Sequence, residues 1–320
     1  MNVLEKETSA VMAAAVPGKK SFFRKRIWNE RYMYLLVLPG LLYFIVYRYI
    51  PLLGSVIAFQ DYSPFSGFLH SEWVGWRHFA KIFEDQEVIR VLYNTLFISF
   101  MQILFVFPAP ILLSLMLNEV RGRAFKRIVQ SVVYLPHFLS WVVVISIVTA
   151  LLRNAGVINQ LLHLLFGMEP IPFLTSTDMF VPLVVFEVIW KETGWGTIIF
   201  LAALASINPE LYEAAVMDGA GRFRRIWHIT LPALKSTIVI LLIMRLGSVL
   251  DTGFEQIFLM LNPFNKEVGD VLDTFVYYKG IQQSDFSFAT AVGLFKGVVG
   301  LILVVTANYF VKKMGEDGLY

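Results

Sequence analysis

The chain has 320 residues, of which 57% are hydrophobic and only 16% charged. That is too apolar for an ordinary soluble domain and points to a polytopic membrane protein. A net charge of +3 is too small to argue for nucleic acid, and the lack of cysteine excludes disulfides, thiolate nucleophiles and Cys-ligated metal.

Residues 1–20 read as a disordered tail. They do not form a cleaved signal, because the apolar piece 11–16 is short, acidic residues precede it and basic ones follow. The stretch "KKSFFRKR" (19–26) reads as a positively charged flank of the first span, with a lipid-binding patch as the alternative.

Six segments are apolar enough to cross a bilayer, near 34–59, 92–118, 129–152, 180–204, 233–260 and 289–311. Pro39, Pro51, Pro108, Pro110 and Pro136 fall in or beside them, which packed membrane helices tolerate where neighbours satisfy the freed backbone. The fold expected is therefore an all-α membrane protein of six transmembrane helices. A cytoplasmic tail (1–30), one membrane domain (31–315) and a short C-terminal tail (316–320) make up the chain.

Lysine and arginine set the orientation. The tail, the 119–128 loop (Arg121, Arg123, Lys126, Arg127), the 205–236 segment (Arg222, Arg224, Arg225, Lys235) and Lys312 and Lys313 all lie on one side. The opposite loops hold only Arg77, Lys81, Arg90, Arg153, Lys266 and Lys279. Both termini are therefore expected in the cytoplasm. In the first outer loop, "SEWVGWRHF" (71–79), Trp73 and Trp76 are expected at the interface.

The 205–232 segment is polar and punctuated by glycine. "INPELYEAAVMDGAG" (207–221) reads as a short helix. Asn208 caps it, Pro209 takes its first position, and Glu210 and Glu213 lie near its positive end. Gly219 is placed to end it in a left-handed turn. A second short helix, "RFRRIWHI" (222–229), follows, and Leu231-Pro232 is expected to turn the chain into the fifth span. From the residues alone, this is either an amphipathic loop on the membrane surface or a rigid knob for a cytoplasmic partner.

"EAAVMDGAGRFRRIWHITLP" (213–232) resembles the EAA loop of permease subunits in binding-protein-dependent ABC importers, supplying Glu213, Ala214, Ala215, Asp218, Gly219, Ala220, Ile229, Leu231 and Pro232. "WKETGWGTIIFLAALASINPELYEAA" (190–215) and "WVGWRHFAKIF" (73–83) look like the sugar-permease branch. "GFEQIFLMLNPFNKEVGDVLDTFVYYKGI" (253–281) looks like an oligosaccharide sub-branch linked to uronates and alginate fragments. The similarity covers about residues 30–315.

The resemblance implies a type I importer permease fold in the bacterial inner membrane. It also implies a heterodimer with a second related permease, two ATPase subunits that carry ATP and Mg, and an extracytoplasmic solute-binding protein. Residues 208–224 would be the coupling helix that docks on an ATPase, with Glu213, Ala214, Ala215, Asp218, Gly219, Ala220, Arg222 and Pro232 as the coupling residues, Glu213 and Asp218 fixing the geometry or pairing across the contact and Gly219 permitting the turn. The cargo would be an oligosaccharide, an acidic one such as alginate or another uronate among the possibilities.

No GxxxxGK[ST] run is present, so the chain has no phosphate cradle of its own. His70, His78, His137, His163 and His228 lack ligand spacing, no metal site is expected, and no catalytic constellation stands out.

Charged residues in spans are expected to pair or to line a cavity. The cations are Arg48, Lys191, Arg245 and Lys296, and the candidate partners are Glu187, Glu192, Asp251 and Glu255. Lys191 and Glu192 are adjacent and project differently from a helix, so they need not pair. Trp141, Phe186, Trp190, Trp195 and Tyr277 are candidates to stack on sugar rings. Lys191, Arg245, Lys296, Trp190, Trp195 and Tyr277 are thus the substrate-pathway candidates. "GLFKG" (293–297) has the spacing of a close helix contact. The rival functions are a secondary sugar transporter working without an ATPase, a membrane enzyme and an interaction scaffold. The first would want inverted repeats, which the sequence does not show.

Overall fold

The computed structural model describes Trp28, residues 30–120, 122–315 and 318–319. The tail 1–20, the basic stretch 19–26, Arg121 and part of the C-terminal tail lie outside the described residues. The chain divides into two compact units, up to Val56 and from Ile57 onward. Six helical stretches are long and apolar enough to cross a membrane: Arg31–Phe59, Gln86–Glu119, Trp141–Phe166, Thr177–Ala205, Arg222–Gly247 and Phe286–Lys313.

In the N-terminal unit, the helix Arg31–Phe44 continues through a π-helical turn, Ile45–Tyr49, into Ile50–Leu53. The same device recurs twice in the second unit, at Gln102–Val106 and Ile226–Thr230. Each time a proline follows closely: Pro51, Pro108 and Pro232. Proline lacks an N–H and clashes with the carbonyl four residues back. A wide turn, in which the residue before the proline bonds five residues back, absorbs that conflict without breaking the helix. Leu231-Pro232 therefore makes no turn into the fifth span. The helix runs unbroken from Arg222 to Gly247, because the π turn has already accommodated the proline.

The second unit opens with a minimal β-hairpin, an exception to the all-helical expectation: Gln60–Asp61 pairs antiparallel with Glu72–Trp73. Trp73 and Trp76 are both exposed, and Trp76 meets Phe59 and Phe79 edge-on or tilted at centroid distances of 5.3 and 5.0 Å.

Two expected spans are laid out differently. The segment 129–152 is interrupted after the amphipathic helix Arg123–Tyr134 by a 3-10 turn at Leu135–Phe138, where Pro136 sits. Helix resumes at Trp141–Leu152, capped by the Ser140 hydroxyl, and after a short break continues as Val157–Phe166. The expected span 233–260 stops at Gly247, and a separate helix begins at Phe254, after Gly253 in a left-handed conformation (φ 96°).

Irregular backbone at membrane depth must be satisfied by protein groups. The second span does this with a polar stripe in an otherwise apolar helix. Asn94 donates to the carbonyls of Glu267 (2.8 Å) and Asp270 (3.0 Å). Thr95 accepts from the Leu272 amide (2.9 Å), Ser99 donates to the Val249 carbonyl, and Gln102 donates to that of Thr252 (3.2 Å). All four are buried. Between spans, Asp270 is also buried, its carboxylate accepting from Thr274 Oγ1 at 2.6 Å. Burial pushes its pKa above the ordinary carboxylate value, against the lowering effects of Thr274 and Lys266.

Close helix contact falls at other glycines than 293 and 297, around which there is open space. A Cβ on Gly300 would stand 2.5 Å from the Gly247 carbonyl oxygen, and one on Gly194 2.1 Å from that of Val133. Apolar packing completes the unit: Ile98, Phe180, Val184, Ile257 and Val271 form one buried cluster, and Phe200, Leu204 and Leu234 another.

Candidate functional site

Two features stand out, a protruding loop and a polar cavity. The loop helix Pro209–Met217 is fixed at both ends. The Asn208 side chain accepts from the Glu210 amide (3.0 Å), and Pro209 occupies the first turn, where no N–H is needed. At the other end Gly219 has φ 76°. Its amide bonds the Val216 carbonyl (3.0 Å), and the Ala220 amide bonds that of Ala215 (2.8 Å). These crossed bonds are a Schellman cap, which needs a left-handed residue at the position of Gly219.

Two contacts fasten the loop to the helices behind it. The Tyr212 hydroxyl meets buried Thr230 Oγ1 at 3.1 Å. Arg222 Nε lies 3.8 Å from Glu119 at the end of the second span. Glu213, Ala214, Asp218, Gly219 and Pro232 are exposed, while Ala215 and Ala220 are half-buried. Apolar side chains are exposed on the same loop: Met217 is 86% and Phe223 90% accessible, and Leu211 and Val216 are also open. A stiff loop displaying such side chains beside charges has the make-up of a protein-docking surface.

The cavity, of about 490 Å³, lies among the spans and is lined by Gln102, Trp141, Glu192, Thr193, Trp195, Arg245, Asp251, Thr252 and Gln256, among others. Three of the wall residues keep a buried oxygen without a hydrogen-bond partner: Thr193 Oγ1, Thr252 Oγ1 and Gln256 Oε1. Unmade buried hydrogen bonds cost about 1–3 kcal/mol each, and these three oxygens are sealed in the packing of the wall rather than open to the cavity. Trp195 stacks on His137 at a centroid distance of 4.5 Å and an interplanar angle of 4°, which covers one of its faces.

The sequence-derived pathway residues separate here. Arg245 and Trp195 line the cavity. Lys191 is buried behind it, donating to the carbonyls of His137 and Leu139. Its ammonium does meet neighbouring Glu192, at 3.6 Å. Lys296 bonds both Asp251 and Asp273. Trp190 is half-exposed and outside the lining, and Phe186 is exposed. Tyr277 packs into an aromatic group with Phe254, Phe258 and Tyr278. Glu187 pairs with neutral Gln256 (2.7 Å), and Glu255 is exposed.

Sequence reasoning missed Gln102, Asp273 and His137. Gln102 had a legible signal, a buried amide in an apolar span. The His137–Glu192 contact, 2.7 Å across 55 positions, had none. Among the described residues no group of acidic or histidine side chains is arranged to hold a metal ion.

Comparison with known proteins gives a consistent result. Residues 95–316 match the family of binding-protein-dependent transport system inner membrane components. The chain is 51% identical to the protein LplB of Bacillus subtilis (strain 168), with all of both chains covered. It is 50% identical to the polygalacturonan/rhamnogalacturonan transport system permease protein YteP of the same organism, again over the whole of both. A crystal structure of a bacterial alginate ABC transporter in complex with an alginate pentasaccharide-bound periplasmic protein contains a chain that superposes with a TM-score of 0.85. It is 40% identical, over 92% of this chain and 99% of that one.

Proposed function

The chain belongs to the family of binding-protein-dependent transport system inner membrane components and is a multi-pass permease of an ABC oligosaccharide importer in the bacterial inner membrane, and we propose that its cargo is an acidic oligosaccharide and its motor a separate ATPase docked on the 208–224 loop. The carrying observation is the loop itself. It is capped at both ends and tied to two spans through Tyr212–Thr230 and Arg222–Glu119, and it leaves Met217 and Phe223 bare. A push on such a loop reaches the helices behind it instead of being lost in bending. The uronate cargos of YteP and of the alginate importer support the acidic reading.

In this reading both termini face the cytoplasm, in keeping with the lysine and arginine distribution. ATP and Mg belong to two ATPase subunits, this chain carries no catalysis, and a second permease and an extracytoplasmic binding protein complete the assembly. ATP binding then supplies the differential free energy that moves the spans between two states.

The test is purification of the tagged chain in mild detergent with identification of every co-purifying chain. An ATPase and a second permease are expected. Gly219→Val should keep the second permease and lose most of the ATPase. A Cβ at Gly219 would meet nothing within 4 Å, so the strain is purely that of a left-handed backbone, about 1–3 kcal/mol. A lone, stable chain that takes up sugar without ATP would overturn the reading in favour of a secondary transporter.

A further inference from the structure

We propose that the cavity is a uronate subsite in which the Arg245 guanidinium binds the sugar carboxylate and Trp195 takes the ring face. This rests on the acidic-oligosaccharide reading above.

The argument starts from the charges on the wall. Three ionised side chains line the cavity: Glu192, Arg245 and Asp251. Glu192 is held by His137 Nδ1 (2.7 Å) and by Lys191 (3.6 Å). Asp251 is held by Lys296, which it shares with Asp273. Each carboxylate therefore already has a cation in contact. Arg245 differs: among the described residues it forms no ion pair, and its side chain donates to the neutral amide oxygen of Gln102. A guanidinium carries five donors in a planar fork that matches a carboxylate, so most of its capacity is left for a ligand. Asp251, already bonded to Lys296, is near enough to act on its charge but makes no ion pair with it, and an arginine held this way at membrane depth is costly and marks substrate paths.

The rest of the wall fits a sugar ring. His137 covers one face of Trp195, and the other is left for an apolar ring face. The cavity thus offers a guanidinium fork and an aromatic ring, a pair that suits a hexuronate residue. A neutral hexose would leave most of the guanidinium's donors without an anionic acceptor.

The alternative for Arg245 is purely structural. Gln102 passes its own amide hydrogen to the Thr252 carbonyl, so Arg245–Gln102–Thr252 is also a strap between two spans and the break in the fifth. The experiment separates the two roles. The whole transporter, reconstituted in proteoliposomes with its binding protein saturated in each case, is given a uronate oligosaccharide and the same oligosaccharide with its carboxylates reduced to alcohols.

Arg245→Gln should lower uptake of the charged sugar about 10- to 100-fold, the range of one lost charge-assisted contact, and leave that of the neutral one within about twofold. Arg245→Lys, which keeps the charge without the fork, should fall between. Parallel loss of both sugars would show a strap and overturn the inference, as would unchanged uptake of the charged sugar. Wild-type uptake of the neutral sugar alone would instead bring down the acidic reading itself.

Discussion

The Nζ of Lys191 lies 2.7 Å from the carbonyl oxygen of His137, a residue 54 positions earlier, and 2.8 Å from that of Leu139. The 3-10 turn at Leu135–Phe138 and the break after it leave carbonyls without helical partners inside the membrane domain, and this buried ammonium satisfies one in the turn and one just past it. Glu192 balances its charge. Lys191 is therefore a clasp for a helix break rather than a group presented to cargo.

Replacing it should show this. Lys191→Met strands two carbonyls, at about 1–3 kcal/mol each, and leaves Glu192 with His137 as its remaining contact. The expected outcome is a lower unfolding temperature of the purified transporter, followed in detergent by tryptophan fluorescence. Unchanged melting with lost uptake would instead make Lys191 a ligand.

Glycine substitutions along the last span should divide by position. Gly300→Ala forces a Cβ to 2.5 Å from the Gly247 carbonyl oxygen, so the fifth and sixth spans must separate. A marked fall in yield and melting temperature follows. Gly293→Ala meets open space and should be neutral or stabilising by up to about 1 kcal/mol, because alanine favours helix. Equal effects at both sites would contradict the packing described.

Stability should depend on Asp270. Its folded pKa is raised by burial, so the native state holds its proton more tightly than the unfolded chain does. The stabilisation from that proton is full below the ordinary carboxylate value of 3.8 and is lost as pH rises through the folded value. Asp270→Asn, which keeps an acceptor for Thr274 and carries no charge, has no such loss. Its melting temperature should exceed the wild type's at pH 8, with the gap narrowing toward pH 4. A gap independent of pH would rule out this origin.

The loop was legible because its signals are local. Asn208, Pro209 and Gly219 each act within a few residues, and the Schellman cap formed where the glycine stands. The expected turn at Leu231-Pro232 failed for an equally local reason that has no composition signature: a π turn upstream makes room for the proline. The segment 233–260 is apolar enough on average to read as one span, although a polar run, 248–253, lies at the break inside it. That break survives because Ser99 and Gln102, some 150 positions away, supply its hydrogen bonds.

What the sequence determined by itself is what depends on length, periodicity and near neighbours: a membrane domain of six apolar helices and the capped loop between the fourth and fifth. Tertiary structure decided the roles of the buried charges. Lys191, Arg245 and Lys296 are each a cation within a long apolar span, and apart from Glu192 beside Lys191 the chain gives little to tell them apart. Their difference lies in what packing brings to each: two backbone carbonyls, a neutral amide beside a cavity, and a pair of aspartates. A charge in a low-dielectric interior is governed by its nearest partners, and those come from distant segments that only the fold can assemble.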